Sequence, residues 1–346
     1  MCNMAGYIGK KNAAEVLIDM MRREEGLAGG YFTGIATLDG GRIASAKLIG
    51  DTERLLRLTD AASLRGNVGI MHSRSKGYGD GEWAHPFLGV RDGNTEMAYI
   101  ANGGMGFFAP RADERTAIAD GLLRDGYELR SRKDEKKNVH IKLSDGAAVH
   151  VSDVMCQLIY RNIRSGLEPR AAMEKAYTDM PGEIAGLLLA PSVPDGIVWS
   201  RISMPIFVAF ASHGAYIATS SLAFPEDAGE PILLPANSSG VIYADNYFVK
   251  PYEKAPARLA ETDAAVRCAA YEKICEVLSE GDKIFADLYR AIDGLFEKAD
   301  ICQREPLAYE VIYSLMREGR LEKYDARVDG VLSEIDAPQT RLSLKQ

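Results

Sequence analysis

The first apolar run of the chain lies almost at its start, in residues 4–8, which read MAGYI. A short apolar and aromatic run of this kind predicts a buried β-strand. In residues 12–23 the apolar positions recur at helical spacing, so we predict a helix there. Residues 31–38 and 43–48 predict two strands, and the Asp-Gly-Gly sequence at 39–41 predicts the hairpin turn that joins them.

Further along the chain, strands and helices alternate in groups. Strands are predicted at 67–73, 97–101, 183–189, 197–200, 206–211 and 215–220, with a further sheet region at 232–249. Helices are predicted at 112–125, 151–165 and 169–180. The Asn-Gly-Gly sequence at 102–104 is expected to interrupt its strand. Closely spaced strands with hairpin connections, together with these helices, indicate a layered α+β domain built on antiparallel sheets.

The pattern changes near residue 250, where the sequence KPYEKAP at 250–256 is typical of a linker. We therefore predict one domain over residues 1–245 and a mostly helical C-terminal region over residues 250–346, suited to binding a partner. A helix at 307–317 followed by a hairpin would also fit a winged-helix unit. The acidic charge of the chain argues against DNA binding by such a unit.

Composition narrows the function classes. The chain has 346 residues, of which 47% are hydrophobic and 26% charged, and its formal net charge is −8. An acidic chain argues against nucleic-acid or anionic-membrane partners, and no apolar run approaches the roughly 18 residues of a membrane span. The five cysteines and five histidines form no CxxC or HExxH pattern. We therefore expect a cytoplasmic protein with reduced thiols and no metal or other cofactor.

The residue after the initiator methionine is Cys2. A small residue in this position favours removal of Met1, after which the thiol and a free α-amino group share one residue. That arrangement is a nucleophile with its base attached. Taken alone, however, Cys2 is better explained by an accident of position among five cysteines.

Five short motifs decide between these two interpretations. They are CNMAGYIG at 2–9, GIMHSRS at 69–75, AHP at 84–86, Asn-Gly at 102–103 and SRKD at 131–134. The order and approximate spacing of these motifs extend over about the first 240 residues. In both respects the chain resembles the class II glutamine amidotransferases, which are N-terminal-nucleophile hydrolases. The nearest pattern is that of the glutaminase half of glucosamine-6-phosphate synthase.

The resemblance implies a four-layer αββα fold and a catalytic role for Cys2. Its thiol would attack the side-chain amide of glutamine, and its own α-amine would accept the proton, since an α-amino pKa near 8 suits that task. The side-chain amide of Asn102 and the backbone N–H of Gly103 would stabilise the oxyanion.

The resemblance also implies how free glutamine is held. Arg74 would bind its carboxylate and Asp134 its ammonium group. His72 and His85 are expected to be structural. Each binding residue has a simpler explanation, because Arg74 could be a solvated loop arginine and Asp134 lies in a charge run that is typical of an exposed face.

Several positions depart from the family pattern, among them Ala28, Ser75 and Gly77. These departures leave three hypotheses open. The first is glutamine hydrolysis that supplies ammonia to an acceptor on a separate synthase or ligase subunit, because only about 100 residues remain after the first domain. The second is hydrolysis of another amide by the N-terminal cysteine, and the third is a non-catalytic regulatory or binding module.

Overall fold

The computed structural model describes residues 2–77, 79–134, 141–256, 262–297, 300, 303–332 and 337–345. In these residues the helices are α1 (Ala13–Glu24), α2 (Thr52–Leu58), α3 (Ala112–Arg124), α4 (Val151–Arg164), α5 (Pro169–Asp179), α6 (Ala264–Ser279), α7 (Phe285–Ala291) and α8 (Arg304–Arg317). The strands of the first half are β1 (Asn3–Gly9), β2 (Phe32–Asp39), β3 (Arg42–Ile49), β4 (Val68–Arg74), β5 (Phe87–Arg91), β6 (Asn94–Gly104), β7 (Ile141–Lys142) and β8 (Ala148–Val149). Those of the second half are β9 (Glu183–Leu189), β10 (Ile197–Arg201), β11 (Phe207–Ala211), β12 (Gly214–Ala218), β13 (Ile232–Leu233), β14 (Ser238–Ile242), β15 (Tyr247–Pro251), β16 (Lys283–Ile284), β17 (Leu321–Val328) and β18 (Ala337–Leu344).

Two antiparallel sheets form the centre of the molecule. One has seven strands in the order β13-β11-β12-β1-β4-β2-β3, and the other has six in the order β15-β14-β10-β9-β6-β5. Apolar side chains from both sheets, such as Ile70 and Val208 from one and Leu187 and Trp199 from the other, form a shared buried cluster. The sheets therefore pack face to face.

Helices cover the outer face of each sheet. Residues of α1 and α2 pack with the seven-stranded sheet in one buried cluster. Residues of α3, α4 and α5 pack with the six-stranded sheet in another. The order helix–sheet–sheet–helix confirms the predicted four-layer αββα architecture.

The strand predicted at residues 4–8 is confirmed as β1, which lies between β12 and β4 in the middle of the larger sheet. Asn3 pairs with Ser73 and Ala5 with Ala218, so both edges of β1 are hydrogen-bonded. Since all seven residues of β1 are buried, this strand holds the adjoining Cys2 at the end of a rigid sheet.

The local signals near the start of the chain also agree with the structure. The side chain of Asn12 accepts hydrogen bonds from the backbone N–H groups of Ala14 and Glu15, which caps α1. The predicted hairpin joins β2 and β3, and both turn glycines have positive φ, 53° at Gly40 and 78° at Gly41. That backbone favours glycine and matches the right-handed twist of the strands.

The predicted interruption of the strand at residues 102–104 is wrong. β6 continues to Gly104, with Asn102 opposite Ala185 and Gly103 opposite Ile184. Gly103 has φ 122°, and a Cβ there would lie 1.9 Å from the carbonyl oxygen of Glu183. Glycine therefore allows the strand to stay paired at a point where a side chain would not fit.

In its described residues, the C-terminal region combines the α-helices α6, α7 and α8 with a three-stranded sheet in the order β16-β18-β17. The six-stranded sheet includes β15 and so extends to Pro251, beyond the predicted boundary at residue 245. The predicted helix followed by a hairpin is confirmed by α8, β17 and β18. Most of α8 is buried and Tyr309 is fully so, which means that this helix does not present a free face to DNA.

The C-terminal region also contacts the first domain at the end of α1 and at the loops that follow α1 and β3. The Lys323 ammonium donates to the carbonyl oxygen of Arg23 over 3.0 Å, and Arg327 forms an ion pair with Asp51. Leu27 of the first domain lies in the same buried cluster as the apolar residues of α6, α7 and α8. The two regions therefore share a packed interface.

In the described residues, no helix is long and apolar enough to cross a membrane.

Candidate active site

A cavity of about 330 Å³ opens where β1 begins and β4 and β6 end. Its lining residues are Cys2, Arg74, Ser75, Lys76, Gly77, His85, Ala101, Gly103, Gly104, Met105, His150, Val151 and Ser152. Such a volume is at the lower end of the roughly 300–1,000 Å³ that is usual for small-molecule sites. The structure therefore brings four of the predicted site residues to one small cavity: Cys2, Arg74, His85 and Gly103.

Cys2 lies at the inner end of this cavity, directly before β1. Its backbone N–H donates to the side-chain oxygen of Asn102 over 3.0 Å. Its sulfur lies 3.7 Å from the Ser75 hydroxyl oxygen. The cysteine is half-buried and its thiol is free. The main-chain anchor fixes the thiol next to the strand that carries Asn102 and Gly103.

The environment of the thiol favours its ionised form. Burial raises the pKa of the Cys2 thiol, but the hydrogen bond and charge of His72, the charge of the amino terminus and the backbone of Ser75 act together in the opposite direction. The net result is a pKa lowered to about 6. Thiolate is the nucleophilic form of cysteine, and this environment favours it at neutral pH.

Asn102 is fully buried, and its side-chain oxygen is the acceptor for Cys2. Its side-chain nitrogen Nδ2 has no partner among the described residues. Leaving a buried N–H group without a partner is costly, so such groups in native proteins usually have a role. Here the free donor sits on the residue that anchors Cys2, and it is suited to a negative charge that develops beside the thiol.

Three histidine rings, those of His72, His85 and His150, pack against one another near the thiol. The rings of His72 and His85 have centroids 3.9 Å apart, and His85 meets His150 edge-on at 5.4 Å. His72 contacts the carbonyl oxygen of Ala101 through Nε2 at 2.9 Å. Burial, followed by the charges of His72, His150, Arg74 and Lys47, holds the pKa of His85 well below its usual value. His85 is therefore neutral at pH 7.

Arg74 is the last residue of β4 and is almost fully buried, 6% exposed. Its guanidinium carbon lies 4.6 Å from the ring centre of Phe32 and 5.8 Å from that of Trp83. Burial lowers the pKa of Arg74 and the charge of Cys2 raises it, but an arginine keeps its proton in proteins. The aromatic contacts hold this cation in one orientation at the cavity wall, unlike a solvated loop arginine.

Another part of the cavity wall is formed by the first turn of α4. The sequence analysis did not connect this turn with the site. His150 caps this helix, because its Nδ1 accepts from the backbone N–H of Ser152 over 3.1 Å. The acid of that turn, Asp153, accepts from both the backbone N–H and the hydroxyl of Ser131. Burial, partly offset by these hydrogen bonds, raises the pKa of Asp153 to about 6.

Asp134 is not brought to the cavity. It is exposed and is not among the residues that line it. The neighbouring Lys133 forms an ion pair with Asp80 over 3.1 Å, and its backbone bridges to Ala148. Asp134 thus lies on the surface, as expected of a solvated charge run.

Other contributors to the site escaped the sequence analysis for different reasons. Trp83 follows the loop at 75–80 and has no regular spacing from Arg74, so no local pattern relates the two. His150 and Ser152 form a recognisable helix start before an apolar run. That signal indicates a helix, but it does not indicate that the start of the helix lies at the cavity.

In the described residues, no group of His, Cys, Asp and Glu is arranged to hold a metal ion.

Comparison with known proteins gives relatives of one kind. The chain is 25% identical over 277 residues to the glutamine–fructose-6-phosphate aminotransferase of Chlorobaculum tepidum, which covers 79% of this chain and 41% of the relative. It is 27% identical over 225 residues to the enzyme of the same name from Mesorhizobium japonicum, covering 64% of this chain and 32% of the relative. The chain thus spans less than half the length of these relatives. No protein-family profile matches it.

Solved structures share the fold. The allosteric regulatory enzyme of purine biosynthesis superposes with a TM-score of 0.60 at 16% identity, covering 80% of this chain and 58% of that one. The glutamine phosphoribosylpyrophosphate amidotransferase from B. subtilis, complexed with ADP and GMP, gives a TM-score of 0.60 at 14% identity, covering 93% and 66%. At this identity the likeness shows that the chain shares the fold of these two enzymes.

Proposed function

From its relationship to the class II glutamine amidotransferases, we propose that this chain hydrolyses a side-chain carboxamide of the glutamine type, with Cys2 as the nucleophile. The observation that carries the proposal is the 3.0 Å contact between the Cys2 backbone N–H and the Asn102 side-chain oxygen. It puts a nucleophilic sulfur next to a buried amide donor without a partner among the described residues, at the end of a small cavity.

The reaction begins with the thiolate of Cys2. With Met1 removed, the α-amine of Cys2 is free to act as the base, a task that suits α-amines, whose pKa is ordinarily about 8. The amine takes the thiol proton, and the lowered pKa of the thiol favours this transfer. The sulfur attacks the amide carbon, and the oxyanion takes hydrogen bonds from Asn102 Nδ2 and the backbone N–H of Gly103.

Breakdown of this tetrahedral intermediate cleaves the C–N bond. The α-ammonium of Cys2 gives its proton to the departing nitrogen, which leaves as ammonia, and an acyl thioester remains on Cys2. Water then attacks the thioester and releases the carboxylate and the free thiol. With glutamine, the products are glutamate and ammonia, and Arg74 would bind the α-carboxylate as a planar, bidentate donor.

The fate of the ammonia completes the proposal. The relatives carry "aminotransferase" in their names, and this chain covers 41% of the first of them. The residues after Pro251 form a small packed unit of three helices and a three-stranded sheet. We propose that ammonia passes to an acceptor on a separate synthase or ligase subunit.

The test is ammonia release by protein whose Met1 removal has been verified by mass spectrometry. A panel of primary amides that includes glutamine is compared for the wild-type chain and Cys2→Ala. We expect turnover that disappears in the variant. A second measurement, covalent labelling by an electrophilic glutamine analogue, reports a reactive Cys2 independently of turnover. The absence of both cysteine-dependent turnover and Cys2 labelling would leave a non-catalytic module as the correct interpretation.

A further inference from the structure

The loop that joins α1 to β2 packs against the start of β1 and the end of β4. A Cβ at Gly29 would lie 2.6 Å from Oδ1 of Asn3 and 2.7 Å from the hydroxyl oxygen of Ser73, so a larger residue would not fit there. Asn3 and Ser73 are paired residues of the two strands. Asn3 directly follows Cys2 in the chain. Ser73 directly precedes Arg74, so the loop touches the neighbours of two cavity residues.

Glu25, the first residue of this loop after α1, fixes the hydroxyl group of Ser73. The hydroxyl donates to Oε1 of Glu25 over 2.6 Å and accepts from the backbone N–H of Gly30 over 2.7 Å. The Glu25 carboxylate also accepts from the backbone N–H of Thr52, at 3.1 Å to Oε1 and 3.0 Å to Oε2. Because a hydroxyl has one proton to donate, Glu25 sets its direction and leaves a lone pair for the loop.

The C-terminal sheet contacts the same loop at two points. In β18, the backbone N–H of Thr340 donates to the carbonyl oxygen of Gly26 over 3.0 Å, and the Thr340 hydroxyl donates to that of Glu25 over 3.4 Å. In β17, Arg327 forms an ion pair with Asp51, and the next residue along donates to the Glu25 carboxylate. The sheet therefore holds the main chain of Glu25 and also the segment that binds its side chain.

Resting on the proposed function, we propose that Glu25 is a positioning residue of the active site and that the C-terminal sheet keeps it in place. Glu25 does not line the cavity, so it acts through Ser73. The fixed hydroxyl holds the loop against Asn3 and thereby keeps Cys2 and Arg74 in one relative position. The C-terminal region is then part of the catalytic unit, whatever partner it also binds.

A double-mutant cycle tests whether Glu25 acts through Ser73. Burial raises the pKa of the Glu25 carboxyl to about 7, against the hydrogen bonds from Ser73 and Thr52, so the assays are run about one unit higher. Glu25→Gln replaces one acceptor oxygen with a donor, and Ser73→Ala removes the hydroxyl. We expect each substitution to lower kcat for glutamine about tenfold, within the ~10²-fold that a misplacement of about 1 Å can cost.

The double variant gives the decisive value. If Glu25 acts through Ser73, the chain with both substitutions loses about tenfold in kcat, as each single variant does, because the two changes break one network. Independent effects would multiply to about 100-fold. That result, or an unchanged kcat in Glu25→Gln, would overturn the inference. Thermal melts check folding, since a merely structural role would lower the melting temperature and leave kcat of the folded chain unchanged.

Two variants of β17 test the role of the C-terminal sheet. Arg327→Gln removes the ion pair with Asp51, whereas Lys323→Gln removes a contact with the carbonyl oxygen of Arg23 in the same interface. Both side chains are exposed, so these variants should fold even if the buried ones do not. We expect kcat to fall about threefold in Arg327→Gln, the effect of one ion pair, and to keep its wild-type value in Lys323→Gln. Equal kcat values would overturn the role of the sheet.

Alkylation of Cys2 separates this inference from the proposed function. Iodoacetamide reacts with the thiolate whether or not the chain hydrolyses an amide, and mass spectrometry of the N-terminal peptide gives the rate. In a chain that turns over no amide, the same cycle of Glu25 and Ser73 variants is measured on this rate. A non-additive loss would support the inference while the hydrolytic function fails. Additive losses or unchanged rates would refute the inference.

Discussion

The two ends of the cavity are built in different ways. At the inner end, Cys2, Asn102 and Gly103 are positioned by paired strands, β1 and β6, and their contacts involve the main chain. At the outer end, Arg74 depends on aromatic side chains, and the rest of the wall comes from a loop and a helix start. The end that we propose for the nucleophilic attack is thus fixed by sheet register. The end that we propose for substrate binding depends on side chains that can change without altering the fold.

The substitution with the largest expected effect is Asn102→Ala, which tests the inner end of the cavity. The change removes the Nδ2 donor for the oxyanion and the acceptor for the Cys2 backbone N–H. Loss of one oxyanion donor typically costs about 10²–10³ in kcat, so we expect a fall of that size. Steady-state ammonia release gives kcat, with a thermal melt as the control for folding. An unchanged kcat in a folded variant would remove Asn102 from the mechanism.

The corresponding substitution at the outer end of the cavity is Arg74→Gln, which tests binding of the substrate carboxylate. Hydrogen bonds to charged groups are worth about 1.5–3 kcal/mol, so kcat/KM for a carboxylate-bearing amide should fall about 10- to 100-fold. A neutral amide such as butanamide, which has no carboxylate, provides the control and should lose about twofold or less. Equal losses for the two amides would mean that Arg74 acts through the structure and not through the carboxylate.

A pH titration of Cys2 reactivity tests whether His72 lowers the pKa of the Cys2 thiol. With the pKa of Cys2 lowered to about 6, the thiolate predominates above that pH, and alkylation of Cys2 should rise through a midpoint near pH 6 and then level off. His72→Gln removes the ring that helps to lower the pKa, so the midpoint should move to higher pH. Mass spectrometry of the N-terminal peptide measures the rate. A midpoint that stays in place would exclude His72 as the cause.

The smallest effect is expected for Asp134→Asn. The residue is exposed and outside the cavity, and surface changes of this kind usually fall within about 0.5 kcal/mol. We expect kcat/KM for glutamine to change by about twofold or less. Asp153→Asn is the contrasting variant, because weakening two buried hydrogen bonds to Ser131 should lower stability by about 1–3 kcal/mol. A large loss of glutamine turnover in Asp134→Asn would restore its predicted role in substrate binding.

Much of the fold followed from local pattern. The apolar run at residues 4–8, the helical spacing at 12–23 and the Asp-Gly-Gly turn each specify their own element, because strand burial, helix periodicity and hairpin twist act over a few residues. The strand break expected at 102–104 failed because Gly103 accommodates the carbonyl of Glu183. That residue is 80 positions away, and no local rule includes it.

The sequence by itself determined the order of elements through its periodicity. The motifs read in chain order, through their resemblance to a known family, implied the four-layer architecture and the candidate nucleophile. Only the tertiary structure decided which side chains share the cavity. It brought the first turn of α4 to the same cavity as Arg74, placed Trp83 beside the guanidinium and left Asp134 exposed. The physical reason is that charge and hydrogen-bond complementarity act across space, between residues whose separation along the chain carries no information about their distance.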